Sequence, residues 1–154
     1  MDPGTHDRGV SLAAAALVLQ TELAELVELA LQVQHTKWSL VPDVPDVDTR
    51  LFGDIIADAW QRAEAIAEAL RTRGFAPDAR IPTIASNRAL YPTAGGWQGA
   101  DAVRGVGYAL GRSAAWARER AEQCEAEPDL AGMLGAIGNS LDGWARAVLA
   151  SSTV

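Results

Sequence analysis

Residues Leu12 to Trp38 read LAAAALVLQTELAELVELALQVQHTKW, and the periodicity of this stretch decides the fold. Leu12, Ala16, Leu19, Leu23, Leu26, Ala30, Val33 and Lys37 recur at alternating steps of four and three. That spacing lays a stripe along one face of an α-helix. Leu17, Val27, Leu29 and Leu31 are apolar too and lie off the stripe, so the helix is expected to be covered on more than one side, as at a subunit interface. Pro42 disfavours helical dihedrals at Val41, which ends the helix near Trp38. Upstream, residues 1–9 carry Pro3, Gly4 and Gly9 and read as a flexible polar tail ahead of a domain spanning 10–152.

Downstream, PDVPDVD (Pro42 to Asp48) is an acidic turn, with Asp48 placed to cap a second helix. That helix is predicted from about Thr49 to Arg73, with Gly74 as its stop. Its core positions are Ile55 or Ile56, Ala59, Ala63, Ile66 or Ala67, and Leu70. A long connection follows, with one or two helical turns inside Thr83 to Leu90. A third long helix is predicted from about Ala100 to Glu125, and Pro128 opens a fourth that ends near Ser151. Gly105, Gly107 and Gly111 interrupt one of these, and Gly132, Gly135, Gly138 and Gly143 the other. Each interior glycine costs ~1 kcal/mol against alanine, which close approach of helix backbones would offset. Nothing reads as a strand. Two long helices, a long crossover carrying a short helix, and two more helices make an all-α four-helix bundle of ferritin-like topology.

The bulk properties narrow the function. The chain of 154 residues is 49% hydrophobic and 21% charged, which suits one globular domain rather than a disordered chain. The longest apolar stretch, Leu12 to Leu19, is far shorter than the ~20 residues of a membrane span, and no signal-peptide pattern opens the chain. A cytoplasmic location is expected. With Cys124 as the single cysteine there is no intrachain disulfide and no cysteine-based zinc site. The net charge of −7, with Lys37 the only lysine, leaves phosphate neutralisation without a source, so DNA binding is expected to be weak or absent.

On this topology the stretch QHTKWSLVP, followed by a helix carrying EAIAEAL, resembles the Dps family of mini-ferritins, the DNA-binding proteins from starved cells. That family typically ends its first helix in a His-Trp-Asn-Val-x-Gly pattern and carries an acidic pair four apart on the second, closely followed by arginine. The matching positions here are Trp38-Ser39-Leu40 and Glu64 with Glu68. LRTRGFAPDARIPTIASNRAL and DGWARAVLASS resemble the family's crossover and closing helix, so the resemblance covers about residues 10–150. It implies a hollow shell of twelve identical subunits that oxidises iron(II) between two-fold related subunits and stores the mineral. The family's iron site takes a histidine directly before the tryptophan, a histidine and an aspartate early in the second helix, and the acidic pair.

Carried over position by position, these ligands fall on Lys37, Thr49, Gly53, Glu64 and Glu68, of which only Glu64 and Glu68 keep metal-capable side chains. Lys37 is expected to take a carboxylate partner, Glu64 or Glu68 of a neighbouring subunit, and so to turn a metal site into a salt bridge. The bland reading of Glu64 and Glu68 is a solvated face paired with Arg62 or Arg71. His35 lies about 200° around the helix from Lys37 and points away from the site. Asp54 and Asp58, four apart on the second helix, could supply a relocated site. Glu125, Glu127 and Asp129 read as a solvated acidic turn or as the lining of a cation pore. The tryptophans Trp38, Trp60, Trp97, Trp116 and Trp144 read as core or interface fillers.

Two functions follow as expectations. One is a Dps-like shell for iron handling and oxidative or starvation stress protection, with a degenerate ferroxidase site that binds iron weakly. The other is a non-catalytic, Dps-derived structural or interaction protein forming an oligomeric shell.

Overall fold

The computed structural model of the chain describes residues 3–40, 49–87 and 99–152, with side chains from Ser11 onward. Five helices follow in order: α1 (Pro3–Ser39), α2 (Thr49–Thr72), α3 (Ile81–Asn87), α4 (Ala100–Gln123) and α5 (Pro128–Ser151). No strand occurs among the described residues. The helix α1 reaches back to Pro3, through the segment that the sequence alone set apart as a tail. Asp48, expected to cap α2, Trp97 and the last residues of the expected crossover turn, 88–90, lie outside the described residues.

The helix ends follow local chemistry. Gly74 adopts a left-handed φ of 82°. There its N–H donates to the Arg71 carbonyl and the Phe75 N–H to the Leu70 carbonyl. This is a Schellman closure, and Phe75 packs back on the core beside it. Pro128 occupies the first turn of α5, where its missing N–H costs nothing.

Antiparallel α1 and α2 form one hairpin, and antiparallel α4 and α5 form another. The stripe from Ala16 through Val33 is buried between them, with Ile55, Ile66 and Leu70 of α2 opposite. Ile56 and Ala67, the alternatives on that face, are only half-buried. Val27 and Leu29, off the stripe, are also buried inside the chain's own bundle, because α1 touches both α2 and α4. Leu12, Leu17 and Leu31 remain exposed.

One helix glycine, Gly138, has the expected reason, approach of a neighbouring helix backbone, and Gly107 is set against side chains instead. A Cβ at Gly107 would sit 2.6 Å from Leu149 Cδ2, and one at Gly138 would sit 3.0 Å from the Ala114 carbonyl oxygen. Gly132, Gly135 and Gly143 would meet nothing within 4 Å among the described residues, so close approach does not account for them.

Between the hairpins run two slimmer seams, α1 against α4 and α2 against α5. The short helix α3 lies on α1. Gln20 ties its entry by donating to the Asp78 carbonyl and accepting from the Asp78 N–H. The Asp78 carboxylate then accepts from Thr83 and from the Arg80 backbone and side chain.

Candidate functional site

Lys37 sits on the last turn of α1 and Gly53 on the first turns of α2, where the hairpin brings the two helix ends together. The Lys37 Nζ lies 3.6 Å from the point where a Gly53 Cβ would be. The two positions onto which the resemblance places a histidine and an aspartate are therefore adjacent within one chain. An ammonium now fills part of the space that the missing side chain at Gly53 leaves. Among the described residues no carboxylate pairs with Lys37.

Glu64 and Glu68 lie on the exposed side of the same helix. Four residues of α-helix turn through about 400°, so both project from one face. Glu68 accepts from Arg71 Nη1 at 2.9 Å, and both side chains are more than half exposed. Glu64 makes no ion pair among the described residues. From Gly53 to Glu64 the helix climbs about 16 Å at 1.5 Å per residue. The lysine and the carboxylates of one chain are thus well separated, and a second copy would be needed to bring them together. Among the described residues of one chain, no three His, Cys, Asp or Glu side chains converge as a metal site.

His35 is exposed, and its carbonyl accepts from Ser39 Oγ, in keeping with its place off the Lys37 face. Asp54 is exposed as well. Asp58, its partner in the relocated-site reading, has another occupation. Its Oδ2 accepts from Arg62 Nε at 2.9 Å, from Ser140 Oγ at 2.8 Å and from Trp144 Nε1 at 2.9 Å. Burial alone would push this carboxyl up. The hydrogen bonds from Arg62, Trp144 and Ser140, with the Arg62 charge, outweigh it and hold the group below its usual range. Asp58 is a clamp between α2 and α5.

The acidic turn is partly engaged too. Glu127 pairs with Arg73 at 3.4 Å, linking the end of α2 to the start of α5, whereas Glu125 and Asp129 are exposed. Cys124 is buried. Burial and then the Glu127 charge push its thiol up, against a smaller opposing pull from Arg73. Of the tryptophans, Trp116 and Trp144 pack on the core, whereas Trp38 is 77% exposed and Trp60 is exposed with it. Neither Trp38 nor Trp60 fills the core of its own chain.

One polar cluster escaped the sequence reading. Glu22 and Glu25 of α1 are buried against Arg120 of α4. A signal was present. Glu22 stands three residues from Leu19 and four from Leu26, on the core stripe itself, and Arg120 continues the buried α4 stripe of Leu110, Ser113 and Ala117.

No protein-family model and no curated relative matches the chain. Solved structures do. A Dps from Microbacterium arborescens, in a high-iron form, is 18% identical, with a TM-score of 0.81 over 97% of this chain and 95% of that one. A Mycobacterium smegmatis Dps is 18% identical, with a TM-score of 0.84 over 91% and 86%. The Deinococcus radiodurans protein Dps92 is 23% identical, with a TM-score of 0.79 over 89% and 86%. At such identities the likeness speaks for the backbone and not for the ligands. The chain has the ferritin-like four-helix fold of the Dps mini-ferritins, built from a widely divergent sequence.

Proposed function

We propose that this chain is the subunit of a Dps-like, twelve-subunit cytoplasmic shell for iron handling under oxidative or starvation stress, with an iron-oxidising centre that has been degraded to a largely electrostatic contact. The observation that carries this reading is the Lys37 ammonium beside Gly53 on a Dps-type backbone. A cation fixed where the resemblance places a neutral nitrogen ligand repels iron(II). It also offers the partner subunit's carboxylates, at the positions of Glu64 and Glu68, a counter-charge in place of the metal. The exposed Leu17, Leu31, Trp38 and Trp60 give α1 and α2 an apolar surface that self-association would cover.

Iron is the substrate in this reading. Glu64 and Glu68 remain its candidate ligands. Two carboxylates without nitrogen donors select poorly for iron(II) over harder cations. Iron binding is therefore weak and oxidation slow. The shell does not hold DNA at physiological salt, because the net charge is −7 and the single lysine is committed to the subunit contact. The pairing of Glu68 with Arg71 favours the second reading, a shell that has left iron chemistry altogether and serves a structural or interaction role.

Stopped-flow absorbance of iron(II) mixed with oxygen or peroxide tests the proposal. The wild-type rate is expected near the uncatalysed one, with partial binding restored by Lys37→His. A fast wild type that Glu64→Ala abolishes would show that the centre is intact and the account of Lys37 wrong. A fast wild type indifferent to Glu64→Ala would place the centre elsewhere, with Asp54 and His35 the next side chains to change. Retention of an iron mineral by the assembled shell separates the two readings.

A further inference from the structure

The α1–α4 seam holds two carboxylates and one cation. Glu22 is 1% exposed and Glu25 5%, and Arg120 reaches both. Among the described residues, the charged groups acting on Glu22 are Glu25 of its own helix and Arg120 of α4, with none from α2, α3 or α5. With both carboxylates ionised, the cluster would carry one uncompensated negative charge in a dry seam. Burying an unpaired charge is costly enough that a group normally changes its protonation state instead.

The geometry says which carboxylate does so. Arg120 gives Glu25 a two-pronged grip, Nη1 to Oε2 at 2.6 Å and Nη2 to Oε1. It gives Glu22 a single bond, from the already shared Nη1 to Oε2 at 2.6 Å. The bidentate carboxylate is the better-compensated anion.

We infer that Glu22 carries a proton in the native bundle and that its loss loosens the α1–α4 seam, so that hairpin docking is sensitive to pH on the neutral-to-alkaline side. Desolvation is the main cause. It raises the Glu22 carboxyl from 4.5 to about 7, against the opposing charge and hydrogen bond of Arg120, with the Glu25 charge adding to the rise. A folded-state value above the unfolded one means that the native state holds the proton more tightly. The stabilisation is complete below about 4.5 and is lost as pH rises through about 7. The α2–α5 seam behaves oppositely. Asp58 is held below its usual value, so that clamp weakens only as pH falls. The two seams therefore bound a window of pH in which both are closed.

The test uses the full-length assembled protein at one fixed concentration. Denaturant unfolding from about pH 5 to about pH 8.5 is compared for wild type, Glu22→Gln and Glu25→Gln. Over that range the wild-type unfolding constant is expected to rise on the order of a hundredfold more than that of Glu22→Gln. The Glu22→Gln protein should match wild type near pH 5 and exceed it near pH 8.5. A merely structural ion pair predicts instead that Glu22→Gln is weaker at every pH, and that result would overturn the inference. Infrared difference spectra between about pH 6 and about pH 8.5 give a readout independent of folding yield, since ordinary carboxyls are already ionised there. Wild type should lose one buried protonated-carboxyl band. In Glu25→Gln the band should be lost at lower pH, because the neighbouring like charge is gone. Absence of the band from wild type, or its persistence in Glu22→Gln, would refute the assignment.

Discussion

Replacing Asp58 separates a structural clamp from a metal ligand. Three donors converge on its Oδ2, two of them, Ser140 and Trp144, from α5 across the seam. A hydrogen bond to a charged group contributes about 1.5–3 kcal/mol, and the low end suits a side chain that is 19% exposed. The Arg62 pair lies one turn away on the same helix and adds only about 0.3–0.5 kcal/mol. The Asp58→Ala protein should therefore lose about 3 kcal/mol, since it also leaves the Trp144 indole N–H and the Ser140 hydroxyl without an acceptor. The Asp58→Asn protein keeps an acceptor oxygen and loses the charge, so about 1–2 kcal/mol is expected.

The assay is denaturant unfolding at about pH 7, followed by tryptophan fluorescence at constant protein concentration, because assembly shifts apparent stability by mass action. A pH series adds a signed check. The Asp58 contribution is complete above its unfolded value of about 3.9 and is lost as pH falls through the lower folded value. Asp58→Asn should accordingly lose less stability than wild type on acidification. An Asp58→Asn protein as stable as wild type at about pH 7 would refute the clamp. One that kept its stability but lost iron binding would make Asp58 a ligand after all.

Two further outcomes are expected. The Gly138→Ala protein should be destabilised by about 1–3 kcal/mol, because its Cβ would press on the Ala114 carbonyl and Arg118 Cγ, whereas Gly132→Ala, with open space around it, should gain up to about 1 kcal/mol in the same unfolding assay. Light scattering at micromolar concentration should give an assembly the size of a dodecamer; a monomer would remove the basis for any inter-subunit contact at Lys37.

Much of the fold was legible because it rests on local chemistry. The stripe of α1, the stop at Gly74 and the start at Pro128 each follow from spacing or from one residue's backbone preference. The choice between Ile55 and Ile56, or between Ile66 and Ala67, was not legible. Both members of each pair fit an apolar face about 100° wide, and only the position of α1 decides between them. The clamp made by Asp58 was not legible for a related reason. Its spacing from Asp54 is visible in the sequence, but the hydroxyl and indole that occupy it come from 82 and 86 residues away.

Charged side chains on apolar stripes pose one question in two places, and the answers differ. Arg120 continues the core stripe of α4, and its own chain supplies two carboxylates from 95 and 98 residues away, so the cation is compensated before any assembly. Lys37 continues the core stripe of α1 and is only half-buried, with no carboxylate beside it among the described residues. A half-buried ammonium gains less from water than a free one and still lacks a partner. Among the described residues none supplies its counter-charge, and solvent and another subunit are the two sources to compare. The exposed Trp38 next to it, which no described element of its own chain covers, favours the subunit. Removing the charge distinguishes these sources. Lys37→Met should leave the isolated fold intact in either case, but it should weaken the assembly only if the partner's Glu64 or Glu68 is left facing an uncharged side chain. Its dissociation midpoint, set beside that of Glu64→Gln and of the double variant, shows whether the two positions are coupled across the interface.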